Sequence, residues 1–412
     1  MQLKKSVPVI ILAGGFGTRL RHVVQDVPKP MAPINGRPFL EILLDYLVDQ
    51  QIERVILATG HQADVIKEHF GNRYSSIQIF YSHETTPLGT GGAIKQAFEA
   101  FDLDEAIVLN GDTFFPVSLA RLQYFHHQFN SDVTLSIKYL IDFNRYGTLK
   151  WNAFNRVEQF NEKMACDEGW INGGIYYISK NVFDDTTEQC FSFETDVLEK
   201  HVTRGSFYTL PDAAYFIDIG IPEDYEAFQQ KNLQLTHINN EPKTYFIDRD
   251  GVINKRIPGD YVRSIDQFHF LFDVKTSLKQ LSDRAKHIII VTNQQGIGKG
   301  LMTESQLDQV HSHMVEELES NGVKIDSVYF AKDLATDLPP DRKPNIGMAL
   351  KAKEEHPDID WSTCVMIGDS TSDIEFGLRM GMHTILVGNK SDTELAHEKF
   401  ADLPSAINQF IG

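Results

Sequence analysis

Cysteine is scarce in this 412-residue chain: there are three, Cys166, Cys190 and Cys364, and none stands at a spacing suited to pairing. Neither a disulfide framework nor a zinc site is therefore expected, and a reducing cytoplasm is the expected compartment. Positive charge is short as well. The formal net charge is −18 with no basic stripe, so neither a nucleic acid nor an anionic membrane is an expected partner. Local cations or a metal can still admit a phosphorylated small molecule. No apolar run approaches the ~20 residues that a bilayer span requires. The start of the chain superficially resembles a secretion signal, but its apolar run at 7–12 is short and enters Gly14-Gly15-Phe16-Gly17 instead of a small-residue cleavage site. That run reads as a first β-strand. Internal repeats and low-complexity tracts are absent too.

What is present is enough for two or three domains by length, with 42% hydrophobic residues to build their cores. Short β-branched runs alternate with amphipathic stretches, the pattern of an α/β protein with parallel or mixed sheets. Strands are expected at 7–12, 54–58, 77–81, 106–109 and 133–139, with helices at 38–50 and 62–70. Segments 133–139, 146–151 and 174–178 suggest an added antiparallel portion. A closing helix at 223–235 leads to a polar linker at 236–243. A second alternation follows, with strands at 244–247, 287–292, 327–331, 363–367 and 383–387 and a helix at 304–321. The expected domains are thus 1–235 and 244–412.

The first domain carries Leu12-Ala13-Gly14-Gly15-Phe16-Gly17-Thr18-Arg19, then Pro28-Lys29-Pro30, then Asn110-Gly111-Asp112. A strand ending in such glycines lets backbone amides approach a triphosphate, while Arg19 forks onto phosphate oxygens and Lys29 adds a point charge. Alone, the loop is equally a tight turn. It lacks the third glycine of a dinucleotide fingerprint and the Gly-Lys-Ser/Thr of a Walker loop.

Together with Leu88-Gly89-Thr90-Gly91-Gly92-Ala93, these motifs resemble the sugar-1-phosphate nucleotidyltransferases over about residues 7–232. The resemblance implies a Rossmann-like, GT-A-like domain with a mixed sheet, in which Gly89, Thr90 and Gly91 belong to the base site. It also implies that Asp112 and Asp218 hold magnesium, that Lys163 grips the sugar phosphate, and that Glu162, Asn172, Gly173 and Glu194 serve the sugar. The reaction is in-line attack of a sugar-1-phosphate oxygen on the α-phosphorus of a nucleoside triphosphate. Two anions must meet: at ~4 Å like charges repel by about 4 kcal/mol at an effective dielectric near 20. Metal and cations are needed for that reason, and a protein nucleophile is not. The wording at 145–147, 171–174, 191–194 and 219–225 is most similar to the D-glycero-D-manno-heptose 1-phosphate guanylyltransferases. Guanine, hence GTP, is implied by that similarity alone.

The second domain carries Asp248-Arg249-Asp250-Gly251, Thr292-Asn293, Arg342-Lys343-Pro344 and Gly368-Asp369, with Asp373 beyond. Asp-x-Asp at a strand end sets two carboxylates on the ligand-facing rim of a parallel sheet. Asp248 reads as a nucleophile forming an aspartyl phosphate, and Asp250 as the acid that protonates the leaving oxygen and then activates water. Thr292 and Lys343 would hold phosphoryl oxygens. Magnesium would sit on Asp248, Asp369 and Asp250, the last through its backbone carbonyl, with Asp373 supporting the loop. For Asp250 to act as an acid its pKa must rise from ~3.9 to about 6, a cost of nearly 3 kcal/mol. Alone, Asp-x-Asp is also a calcium loop or a solvated turn.

In this order and at strand ends, the four motifs resemble the haloacid-dehalogenase-like (HAD-like) phosphatases over about residues 244–390. Each interval between Asp250, Thr292 and Lys343 is taken up by about one helix and one strand, which leaves no room for a cap domain of ~50 or more residues. The wording at 246–254 and 292–298 is similar to the heptose-1,7-bisphosphate phosphatases, which implies that Asn293, Lys299 and Arg342 meet the sugar phosphate. Two departures stand out: the zinc loop usual before Arg342 is missing, and Lys299 replaces an arginine.

His311 and His313 stand two apart on an expected helix and face away from each other, which disfavours a metal pair. His126, His127, His61 and His83 read as surface or loop residues. The combined expectation is a bifunctional enzyme that dephosphorylates a heptose bisphosphate at C7 and couples the product to GTP, with magnesium in both domains and no zinc. Two alternatives are the same reaction types on another sugar phosphate or with another nucleoside triphosphate, and one domain acting as a silent regulator. A homo-oligomer is compatible with this sequence.

Overall fold

The computed structural model describes residues 7–15, 27–161, 166–230, 243–388 and 394–411. Among them the chain forms two compact units, one N-terminal and one C-terminal, each a mixed α/β body without a closed barrel. Gly17, Thr18, Arg19, Glu162, Lys163 and the linker at 236–242 lie outside the described residues.

The N-terminal unit is built on an eight-stranded sheet. Its strands are β1 (Val9–Leu12), β2 (Arg54–Thr59), β3 (Arg73–Tyr74), β4 (Ile77–His83), β5 (Glu105–Asn110), β6 (Val133–Phe143), β7 (Cys166–Ser179) and β8 (Phe207–Pro211), in the spatial order β8-β6-β7-β5-β1-β2-β4-β3. β1 lies between β2 and β5 and is parallel to both. β7 runs antiparallel to β5 and β6, which is the added antiparallel portion expected from the sequence. Buried on both faces, β1 reads Val-Ile-Ile-Leu without alternation, as strands sandwiched between helices do. Ile10, Ile56, Val108, Leu135, Tyr176 and Phe193 meet in one core. Each such side chain contributes about 1.5–3 kcal/mol by leaving water.

The pairing of β6 with β7 is interrupted between Asn172 and Tyr176. At that break Gly174 has φ +73°, and a Cβ there would lie 2.7 Å from the Asn110 side chain. The bulge turns Asn172 toward the end of β5, a common use of bulges beside active sites.

The C-terminal unit has six parallel strands: β9 (Thr244–Ile247), β10 (His287–Asn293), β11 (Ser327–Ala331), β12 (Cys364–Gly368), β13 (His383–Val387) and β14 (Glu398–Phe400). Their order is β11-β10-β9-β12-β13-β14, so the chain winds outward from β9 in both directions. The C-terminal ends of β9, β10 and β12 therefore border the crevice where ligands bind in such sheets. Between Asp250 and Thr292, and again between Thr292 and Lys343, the chain returns through one α-helix, with no separate domain in either interval. The strand at 398–400 had no counterpart in the sequence expectations.

Candidate active sites

In the N-terminal unit β1 runs into Ala13-Gly14-Gly15 and β5 into Gly111-Asp112. The Ala13 amide donates to the Ala58 carbonyl at 2.8 Å and the Gly111 amide to the Leu12 carbonyl at 3.1 Å, which holds the two loops side by side. Gly111 admits no side chain, since its Cβ would lie 2.2 Å from the Leu12 carbonyl oxygen.

Two cavities flank Asp112. One of about 320 Å³ is lined by Leu12, Gly14, Gly15, Lys29, Gly89, Thr90 and Glu84. The other, about 740 Å³, is lined by Asn172, Asp218, Arg145, Tyr146 and Ser192 among others. Asn110, Asp112 and Glu194 border both. Glu194 is fixed by the Thr90 hydroxyl, which donates to it at 2.7 Å, and Thr90 in turn accepts from the Phe193 amide at 2.9 Å. Asn172 donates to the Tyr176 hydroxyl at 2.6 Å and accepts from the Gly174 amide at 3.0 Å.

Three expected site residues, Ala13, Gly91 and Gly173, are not in the cavity walls, and Ala13 is buried just past the end of β1. Gly91 is buried in the first turn of helix α1 (Gly89–Ala100), where a Cβ would lie 2.2 Å from the Phe191 ring. Gly173 is pressed between the Phe115 ring and the Ser136 carbonyl. Both are glycine because neighbours crowd them. Lys29 lines the smaller cavity, where its ammonium pairs with Asp112 and lies 3.8 Å from Asp218. The nearest negative charge claims it.

Burial, and then the adjacent charge of Asp112, raise the Asp218 carboxyl above its ordinary range. A pair of carboxylates whose shared charge is this poorly compensated fits a hard divalent cation with oxygen ligands. Glu84 was not anticipated. It accepts from the Leu88 amide at 3.1 Å, burial raises its carboxyl, and it packs so closely that a Cβ on Gly14 or Gly60 would come within 2.8 or 2.5 Å of it.

The C-terminal unit gathers Asp248, Asp369 and Asp373, which offer oxygens within 4.8 Å of one another, all buried. Lys343 is buried among them. Its ammonium lies 2.6 Å from Asp248, 2.5 Å from Asp373 and 2.7 Å from the Val291 carbonyl. Three buried carboxylates against one buried ammonium also fit a hard cation. Gly251, at φ +99°, leaves room for Asp369, which a Cβ would meet at 2.1 Å.

The acid–base expectation is reversed here. Burial first, then Asp373 and Asp250, push the Asp248 carboxyl up to about 8 against the pull of Lys343. Asp250 is instead held below the usual carboxylate range despite its burial. Arg249 donates to it at 2.8 Å, Asn254 at 2.9 Å and Gln294 at 2.7 Å, and each bond favours the ionised form. With its oxygens so engaged, the Asp250 side chain is not in the carboxylate cluster, and only its backbone carbonyl could serve a metal. Gln294 also donates to the Thr292 hydroxyl at 2.9 Å.

Asn293 differs from expectation as well. Its amide donates to the Lys343 carbonyl at 3.1 Å and accepts from the Lys343 amide at 3.0 Å, so it holds the lysine's backbone. Lys299 donates to the Tyr261 hydroxyl at 3.2 Å, and Arg342 is half-buried with an Nη1 that has no partner among the described residues. Arg256 stands 3.4 Å from Asp369, half-exposed at the rim. His126, expected at the surface, is buried between Thr134 and Ser179, at 3.0 and 2.9 Å. No helix among the described residues is long and apolar enough to cross a membrane.

The family model for nucleotidyl transferases matches residues 8–234, and the HAD-hydrolase-like model matches residues 341–408. The D-glycero-alpha-D-manno-heptose 1-phosphate guanylyltransferase of Aneurinibacillus thermoaerophilus is 48% identical over 226 residues, covering 55% of this chain and 97% of that protein. Its counterpart from Campylobacter jejuni is 46% identical over 224 residues, covering 54% of this chain and 99% of that protein. The D,D-heptose 1,7-bisphosphate phosphatase from B. bronchiseptica, crystallised with magnesium and phosphate, is 25% identical with a TM-score of 0.38, covering 41% of this chain and 98% of that one.

Proposed function

Because this chain belongs to the nucleotidyl transferase family, we propose that its N-terminal unit transfers GMP from GTP to D-glycero-D-manno-heptose 1-phosphate, and that its C-terminal unit makes that substrate by hydrolysing the 7-phosphate of the 1,7-bisphosphate. The observation that carries this is the 48% identity across nearly the whole of a heptose guanylyltransferase, joined in one chain to a second carboxylate–lysine site.

In the N-terminal unit, the nucleotide fits the smaller cavity and the sugar phosphate the larger, with Asp112 between them. Asp112 and Asp218 would hold magnesium, which neutralises charge as the two phosphates converge. Lys29, placed between those carboxylates, is then within reach of phosphate oxygens. Glu84 gives a physical reason for guanine. A carboxylate only accepts hydrogen bonds. Guanine is the base with two adjacent donors, N1–H and N2–H₂, on one edge, whereas adenine offers a donor beside an acceptor. The product is GDP-heptose, with pyrophosphate leaving.

In the C-terminal unit, a carboxylate oxygen of Asp248 attacks phosphorus, the bond from phosphorus to the sugar oxygen breaks, and Asp250 gives that oxygen a proton. Water then attacks the aspartyl phosphate while Asp250 takes the water's proton, releasing phosphate and restoring Asp248. Lys343 pulls Asp248 toward the ionised form that attacks, against the burial that raises its carboxyl, and a magnesium ion held by Asp248 and Asp369 would supply the further positive charge that ionisation needs. Asp250 must be lifted from the low range its three donors impose, and an incoming phosphate dianion beside it acts in that direction.

The test is a mass-spectrometric screen of purified protein with heptose 1,7-bisphosphate, magnesium and each nucleoside triphosphate in turn. Free phosphate and GDP-heptose are expected. Turnover of a hexose phosphate with none of any heptose phosphate would overturn the heptose assignment and leave the two reaction types standing.

A further inference from the structure

Arg249, between the two aspartates of the C-terminal motif, is completely buried. A guanidinium only donates, and burial obliges each donor to find an acceptor. One Nη donates to Asp250 at 2.8 Å, and the other lies 2.9 Å from Nε2 of His311, while Nε has no partner among the described residues. His311 sits on helix α2 (Glu304–Glu319), whose start is fixed by a capping box between Thr303 and Gln306. The buried face of that helix comprises Leu307, Val310, His311, Met314 and Leu318. His311 is the single polar group on it, and it meets the arginine instead of packing as a hydrophobe.

Since Arg249 cannot accept, Nε2 of His311 must be the acceptor. The imidazole is then neutral, with its proton on Nδ1. Burial and the neighbouring guanidinium both act in that direction, pushing the imidazole down to about 3. A protonated ring at this spot would place two cations in contact inside the protein. Without an acceptor at that position one Nη would be left buried and unpaired, and the guanidinium would be free to tilt away from the geometry in which its other Nη meets Asp250.

We propose that His311 is a positioning residue of the phosphatase reaction: its neutral imidazole holds Arg249 so that Arg249 fixes the Asp250 carboxylate where the leaving sugar oxygen takes its proton. This rests on the phosphatase reading above. It goes beyond it by assigning a role to a residue on a helix that supplies no motif.

The test compares His311→Leu, which removes the acceptor, with His311→Gln, whose side-chain carbonyl can accept from Arg249. Two substrates are used, a sugar phosphate and p-nitrophenyl phosphate, because the aryl oxide leaves without needing a proton and the sugar alkoxide does not. His311→Leu is expected to lower kcat/KM, which covers only the steps up to departure of the leaving group, by about tenfold to a hundredfold on the sugar phosphate and by less than about threefold on the aryl phosphate. His311→Gln should recover most of the loss. Equal losses on both substrates, or a Gln variant as slow as Leu, would overturn the assignment by pointing to general disruption of the fold. Should the Leu variant not fold, the wild-type ¹⁵N imidazole spectrum decides, with the His311 signal identified by its absence from the Gln variant: a proton on Nε2 at neutral pH overturns it. Wild-type protein that releases no phosphate from either substrate, or an Asp248→Asn variant that releases as much, removes the phosphatase reading itself, and this inference with it.

Discussion

Both units set carboxylates at the C-terminal ends of parallel strands, yet they surround them differently. In the N-terminal unit Lys29 bridges Asp112 and Asp218 at the border of two open cavities, and an antiparallel ladder with a bulge at Gly174 forms part of the wall. In the C-terminal unit Lys343 is buried between Asp248 and Asp373, and a second set of donors grips Asp250. The difference follows the chemistry each site would perform. Joining two bound substrates needs room and charge compensation but no protein nucleophile. Covalent transfer through an aspartate needs one carboxylate held within a fraction of an ångström, which packing and a buried ion pair supply.

The sharpest way to break the comparison is to disable one site and read the other. Asp248→Asn removes the nucleophile, and phosphate release is expected to fall by at least about a thousandfold while guanylyl transfer from supplied heptose 1-phosphate is unchanged. Asp112→Asn should do the reverse, lowering transfer by about a hundredfold to a thousandfold and leaving phosphate release intact. Coupled assays with separately supplied substrates check both, and loss of both activities in either variant would refute independent sites. Chelation with EDTA should silence both together, and added magnesium should restore both.

A smaller effect is expected at Glu84. Replacing it with glutamine keeps the shape but puts a donor where only acceptors stood. The preference for GTP over ATP should shrink by about tenfold to a hundredfold, the equivalent of one two-point hydrogen-bonded contact. Initial rates with each triphosphate measure this. Unchanged selectivity would mean that the base is read elsewhere, and the analogy to guanylyltransferases would lose its structural support.

What was legible in the sequence follows a simple division. Carboxylates at strand ends could be placed because a hydrophobic run that stops at a polar motif marks both the strand and its rim. Asp248 and Asp369 were placed at strand ends that way, and Asp112 came from the resemblance. Partners arriving from elsewhere in the chain could not be. Gln294 and Asn254 look like ordinary loop amides until the fold turns them onto Asp250, and that is why the acidity of Asp250 was expected to move the other way. Gly91 and Gly173 looked like ligand-facing glycines because sequence does not distinguish a glycine left bare for a phosphate from one crowded by a phenylalanine. His311 reads from the sequence as half of an unworkable metal pair, because its arginine partner sits 62 residues away.

The smallest expected effect concerns stability in acid, and it turns on His126. Its ring is buried against Tyr177, whose centroid is 4.3 Å away, and burial depresses its pKa from 6.5 to about 4. The unfolded chain takes up this proton first as pH falls. The contribution of the neutral ring to stability is therefore complete above about pH 6.5 and is lost between there and pH 4, by on the order of 3 kcal/mol at most. Exposed pairs such as Arg145 with Glu223 add little at any pH, because solvent screens them. Two of the three tryptophans, Trp151 and Trp170, pack against each other in the N-terminal unit, so a Trp361→Phe background lets fluorescence follow that unit alone. In urea titrations at pH 8 and pH 5, His126→Gln should cost stability at the higher pH and show a gentler decline toward the lower one. A variant whose decline matches the parent's would assign the acid sensitivity to carboxylates such as Glu105, which lies beside the same tyrosine at 2.8 Å.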